Sequence, residues 1–290
     1  MSSYINGKAV VPTKTALVDR NVLFYVDGTL RQIVSVKNGD SVSKPNITVL
    51  SNSQAVTGWK DEGNNLVTFP FTPVTENTKL TAVIETVNVF DGVMLIHFDG
   101  SLNSAEGVQP LVSGTPTFVA GKFGNGIASD NSTWLTYTST SIPFNNSATY
   151  EFWFKQTGAY VDKACAFSWY DANNYPSNSV GACYVHPTEI YIYKGGKKTT
   201  ATVALSQDVW YHIAFVFTPN GTRIYLNGTK VADDSTFVQT VTANGIYILG
   251  NKSTEKARNS VIDEFAVFNY EKYTEDFTPN SLPYYYNEVI

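Results

Sequence analysis

The sequence predicts an all-β protein, on three observations. No stretch keeps the 3.6-residue periodicity of an amphipathic helix, and short apolar runs are instead bounded by Gly, Asn, Asp and Pro. Aromatic residues make up 14% of the 290, with 18 Tyr and 17 Phe, and such side chains fit a pleated, half-buried surface better than a helix. Hydrophobic residues reach 43% against 16% charged, enough to bury a core and the reverse of a disordered composition.

The elements follow in order. At about 150 residues per domain the length suggests two domains. Residues 1–20 read as an N-terminal arm with a short hairpin at Asn6-Gly7. A compact unit covers 21–86, with a hairpin turn at Asp27-Gly28 and one tryptophan, Trp59, as core anchor. A larger unit covers 93–278, opening on the apolar run 93–98. Within it, 210–217, 222–226 and 229–232 read as three consecutive antiparallel strands. Their turns are placed at Asn220-Gly221 and Asn227-Gly228, because Asn-Gly tolerates positive φ at both central positions. The apolar faces of these strands require a second sheet, so a β-sandwich is expected. Residues 279–290 form a C-terminal tail whose Tyr284-Tyr285-Tyr286 is a poor exposed end in water and is predicted to dock.

Composition excludes some partners. The formal charge of −5 and a pI near 5.2 oppose nucleic-acid binding, which needs clustered Lys and Arg. No apolar run approaches the roughly 20 residues of a membrane span. The first residues carry neither a basic nor an apolar leader segment, so folding in the cytoplasm is expected. Cys165 and Cys183 read as two small buried side chains in neighbouring strands, not as a disulfide framework.

Two resemblances add to this. Residues 22–29, Val36, Gly39, Val42, Pro45, Gly58-Trp59 and 74–82 resemble the internalin B-repeat family of β-grasp-like modules, which are spacers or docking elements. Leu95-Ile96-His97-Phe98-Asp99-Gly100, the glycine turn 121–126, the strands 149–155 and 210–228, and the blocks 246–250 and 262–268 resemble the laminin-G-like, concanavalin-A-like jelly roll. Its ending, with Ile262-Asp263-Glu264-Phe265 and then 273–279, is similar to domains of tailed-phage structural proteins. The resemblance implies a structural calcium ion held near the opening turn and the closing strand, at Asp99 and Asp263, with backbone carbonyls as further ligands. The alternative at these positions is that both carboxylates cap turns.

Candidate chemistry is sparse. A glycoside hydrolase of this fold needs two carboxylates converging in one cleft. The strand 150–155 offers only Glu151, with Trp153 and Lys155 on the same face. Asp263 and Glu264 are adjacent and are expected on opposite sides of a strand. His97, His186 and His212 lie too far apart to suggest a zinc site and read as strand histidines. The turn 121–126 contains Lys122 but no helix is expected after it, so it reads as a tight turn and not a phosphate loop. For carbohydrate, the loop 169–176 is the candidate: Trp169, Tyr170 and Tyr175 offer ring faces, and Asp171 and Asn173 offer groups for hydroxyls. The basic turn 194–198 reads as a solvated hairpin tip.

The expectation is therefore a non-enzymatic virion surface protein of a tailed phage, a capsid decoration, fibre or tail component. It would contact other virion proteins and host-surface polysaccharide, but neither nucleic acid nor membrane, and homo-oligomers are compatible with this role. A bacterial cell-surface adhesin is the main rival, and a glycoside hydrolase stands third.

Overall fold

A computed structural model describes residues 4–5, 8–9, 19–45, 47, 49–51, 53–72, 74–130, 132–138, 147–160, 165–170, 181–194, 196–237, 245–250 and 257–286. Among them every regular element is a strand. The chain divides into two compact units, 1–87 and 88–288.

In the first unit the described strands form a five-stranded sheet. Asp19–Val26 lies between Thr29–Lys37 and Thr78–Thr86, and Gln54–Lys60 and Val49–Ser51 complete the other side. The Asp19–Val26 strand pairs antiparallel with Thr29–Lys37 across the predicted Asp27-Gly28 turn, and parallel with Thr78–Thr86. Asp27 and Gly28 have φ of 48° and 71°, as the mirror-image hairpin turn demands. Trp59 is fully buried and meets Phe24 edge to face with centroids 4.9 Å apart.

The second unit is a sandwich of two sheets. Among the described residues, one sheet has seven strands and the other eight. The eight-stranded sheet carries the site. Its central strands are Arg258–Phe268, Ala148–Gln156 and Trp210–Thr218, each antiparallel to its neighbour. Alternation sends Tyr150, Phe152, Ile213, Phe215 and Phe217 into the core between the sheets. There they meet Phe167 and Trp169 of the Cys165–Tyr170 strand, with Tyr150 stacked on Phe167 at 5.3 Å. The three strands read from the sequence are present as Trp210–Thr218, Gly221–Leu226 and Thr229–Asp234. Asn227 and Gly228 turn as expected, with φ of 49° and 81°. The other turn is shifted by one residue. Thr218 pairs with Gly221, so Pro219-Asn220 forms the turn and Gly221 opens the next strand.

Cys165 and Cys183 are both buried and no disulfide joins them. Their strands are adjacent, but Cys183 belongs to the core between the sheets and Cys165 to a small cluster with Ala182 and Tyr184. The tail contributes Tyr284–Tyr285, a short strand parallel to Asn88–Val89. Tyr284 and Tyr286 pack against Phe90.

Candidate functional site

The strand Ala148–Gln156 turns Thr149, Glu151 and Trp153 to the face opposite the core, and Trp210–Thr218 turns His212 there beside Trp153. The third strand departs from alternation. Ile262 and Phe265 both face the core although three residues apart, and between them Glu264 has φ of 50°. The pairing with Ala148–Gln156 slips between Glu151 and Trp153. This is a β-bulge, with one extra residue on one strand. It overturns the expectation that Asp263 and Glu264 lie on opposite sides, because both point away from the core. Glu264 consequently shares a pocket with Glu151. The segment after the last long strand covers this face, and Lys272, Tyr273, Phe277 and Tyr284 wall the pocket together with Trp153 and Phe123. The cavity is about 200 Å³.

Glu151 is 1% exposed. One of its oxygens, Oε1, accepts from Lys272 Nζ at 2.9 Å and from the Tyr284 hydroxyl. His212 Nε2 lies 3.8 Å from the same oxygen. Burial alone raises a carboxyl, but Lys272, His212 and Tyr284 outweigh it and hold Glu151 below the usual carboxylate range. The other oxygen, Oε2, is buried without a hydrogen-bond partner, as is His212 Nδ1. Glu264 spends both oxygens, Oε1 on His97 Nδ1 at 2.5 Å and Oε2 on the Tyr284 backbone N–H at 2.8 Å. Burial lowers the His97 pKa, and Glu264 with the charges of Asp99 and Asp263 more than offsets this, so the net shift is upward.

Asp263 is fully buried and occupied by backbone. Its Oδ2 accepts the Lys122 and Phe123 amides at 2.8 and 2.9 Å, and its Oδ1 accepts the Glu264 amide at 2.8 Å. Burial pushes its pKa up to about 7, with the neighbouring Glu264 charge adding to the rise. Asp99 Oδ1 accepts the Asn125 amide at 2.6 Å. The two aspartates therefore fill the concave amide nest of the glycine turn. That turn links Thr117–Ala120 to Asn125–Asp130 as a hairpin. Calcium takes six to eight oxygens, usually with several carboxylates. Here three of the four aspartate oxygens accept backbone N–H donors, and among the described residues no three His, Cys, Asp or Glu side chains gather as a metal site. The donor set does not fit the ion.

Of the loop named for carbohydrate, Trp169 is 1% exposed. Alternation along Cys165–Tyr170 turns it inward, where it meets Tyr150 and Phe217 edge to face at 5.7 and 5.3 Å. It is a core residue, and its ring offers no solvent face for stacking. Tyr170 ends that strand. Asp171, Asn173 and Tyr175 lie outside the described residues. In the basic hairpin, Lys198 pairs with Glu189 at 2.9 Å and sits over the Tyr191 ring. The residues that converge on Glu151 were not legible beforehand. Lys272 and Tyr284 are 121 and 133 positions away, and the only signal was one acid in an otherwise aromatic strand.

Comparison with known proteins bears on the same region. The Laminin_G_3 family, described as the concanavalin A-like lectin/glucanases superfamily, matches residues 129–276. Among solved structures, domain 4 of AbnA, a GH43 extracellular arabinanase from Geobacillus stearothermophilus solved with arabinotriose, is similar with a TM-score of 0.50 and 16% identity. That match covers 61% of this chain and 91% of the other. The botulinum neurotoxin type G receptor-binding domain follows at a TM-score of 0.47 and 12% identity, over 63% of this chain and 49% of the other. At these identities the likeness is one of fold. No curated protein matches.

Proposed function

The chain belongs to the concanavalin A-like lectin/glucanase superfamily, and from that membership we propose that its second unit binds carbohydrate without cleaving it. The fold serves glycoside hydrolases and binding domains alike, so the choice rests on the site. One observation carries it: each pocket carboxylate is paired with a basic side chain of the protein itself, Glu151 with Lys272 and Glu264 with His97. Glu264 has both oxygens bonded, and Lys272 holds Glu151 ionised. Hydrolysis of a glycosidic bond needs a carboxylic acid that is protonated at working pH beside a second, available carboxylate. Asp263 has a raised pKa, but it is enclosed by three amides and does not line the pocket. The arabinanase domain solved with arabinotriose supports a binding role for such a sandwich by analogy of fold.

The biological setting we propose is the surface of a tailed-phage particle, with residues 21–86 as the docking module. Its support is the sequence resemblance of 262–279 and of 22–82. Mass spectrometry of purified particles tests it, and absence of the chain from the particles rejects it. The binding reading is tested on an immobilised polysaccharide panel with a parallel reducing-sugar assay. Retention without sugar release is expected. A second reading, glycoside hydrolysis, is favoured by the convergence of Glu151 and Glu264 in one pocket. Reducing sugar released by the native protein and lost in Glu151→Gln would establish it and reject the first.

A further inference from the structure

A sheet edge presents unpaired N–H and C=O groups that another strand can take up unless the edge is guarded. In the three larger described sheets most edges are guarded. Val49–Ser51 and Leu111–Ser113 are three residues long, the first broken by a bulge and the second preceded by Pro110. Thr117–Ala120 has four residues and follows Pro116. Thr229–Asp234 is bulged, and its Lys230 amide donates to Asp276 Oδ1 at 2.8 Å. Its Asp234 accepts the Thr199 hydroxyl of the facing edge, Lys197–Thr202, at 2.6 Å.

The edge strand Thr29–Lys37 of the first unit is different. It has nine residues and no proline, and it lies outermost beside Asp19–Val26. Its one bulge falls at Arg31, near the hairpin turn, so 32–37 pair in regular register. Lys37 pairs with Asp19, and the Ser35 hydroxyl donates to Asn21 at 2.6 Å. Alternation puts Ile33 on that same face, where it is 55% exposed. Val34 and Val36 lie on the other face, only partly buried against the core. The strand is thus apolar and β-branched on an edge that nothing among the described strands covers.

The residues also say which strand fits. In a two-fold antiparallel pairing each residue opposes its own mate or a residue an even number of positions away, because N–H and C=O groups point outward at alternate residues. Centred on Ile33, such a pairing runs Ser35 into the bulged Arg31. Centred on Val34, it sets Lys37 against Arg31, two like charges. Centred on Ser35, it avoids both, and centres further along shorten the overlap. Ile33 then lies opposite Lys37, whose alkyl stem covers it, and Val34 lies opposite Val36.

We propose that Thr29–Lys37 pairs antiparallel with the same strand of a second copy about a two-fold axis at Ser35. The two five-stranded sheets become one continuous sheet, and the protein is a dimer whatever its second unit binds.

Sedimentation equilibrium of the full chain from about 1 to about 100 μM, the range of a small interface, is expected to show the mass rising from one chain towards two. Ile33→Lys sets a like charge against Lys37 twice in each dimer and is expected to weaken association by about tenfold or more. Because Ile33 is exposed, the thermal midpoint of the dilute monomer should not change. Ser35→Cys is expected to cross-link two chains under mild oxidation, since opposed Cα atoms lie about 4.5–5.5 Å apart, within disulfide reach. Ile33→Cys, which faces Lys37 and not its own mate, should stay uncross-linked, and the native Cys165 and Cys183 are buried. A chain that stays monomeric throughout overturns the proposal. So does a dimer that Ile33→Lys leaves equally tight, or one that Ser35→Cys fails to cross-link.

Discussion

At Gly228 the backbone and its neighbour both exclude a side chain. Its φ is 81°, and a Cβ would sit 1.8 Å from the Phe277 carbonyl oxygen. The Gly228 carbonyl in turn accepts the Phe277 N–H at 2.9 Å, which ties the turn to the segment covering the site. Gly228→Ala is therefore expected to cost roughly 2–3 kcal/mol, more than the φ penalty alone, read from urea unfolding. A loss within about 0.5 kcal/mol would show that the contact is dispensable. Asp99 and Asp263 yield a second expectation. Because backbone amides occupy them, adding calcium or EDTA should leave the thermal midpoint unchanged, and a calcium-dependent rise would refute that. Residue identity alone misled at Trp169. A tryptophan followed by Tyr, Asp and Asn has the composition of a sugar-binding loop, but its place in strand alternation put it in the core. Trp59, flanked by a plain strand pattern, was read correctly as an anchor.

Strands and hairpins were the legible level, because their signals are local. Asn227-Gly228 fixed its turn through backbone chemistry contained in two residues. The bulge at Glu264 was not legible, since a single extra residue leaves no composition mark and shows only against its partner strand. Period-two reading through 262–265 therefore put one carboxylate on the wrong face, and the pocket with it. The tail was legible as an element needing cover, but two of the groups it meets, Phe90 and Glu151, lie more than a hundred residues earlier in the chain. There Tyr284 reaches Glu151, and Phe90 meets Tyr284 at 5.4 Å. Ending the chain after Thr278 removes these contacts and uncovers Phe90 and Phe268. The expected result is a loss of roughly 2–4 kcal/mol together with increased binding of a hydrophobic dye. An unchanged midpoint and no dye binding would mean that the tail does not secure this face.

For the molecule as a whole, three groups set opposing pH dependences, Asp263 and Glu151 buried and His97 half-buried. Asp263 moves from 3.8 unfolded to about 7 folded. The folded state thus holds this proton more tightly, and stability falls as pH rises from about 4 to about 7. His97 is raised above 6.5, so its contribution is complete below 6.5 and is lost as pH climbs through the higher folded value. Glu151 is held below 4.5, so its contribution is present above 4.5 and is lost as acid protonates it. The curves overlap to place maximal stability on the acidic side of neutrality, above the range of Glu151 and below that of His97. Most proteins peak between about pH 5 and 8, so a midpoint that falls steadily across that interval is a distinctive result. Differential scanning calorimetry from about pH 4 to about pH 8 reads it directly. Asp263→Asn cannot ionise, so its slope between about pH 4 and 7 should be flatter than the parent's whatever its absolute midpoint. A parent curve that rises across the interval, or a variant that keeps the full slope, would show that Asp263 is charged in the folded protein and that its three amides outweigh its burial.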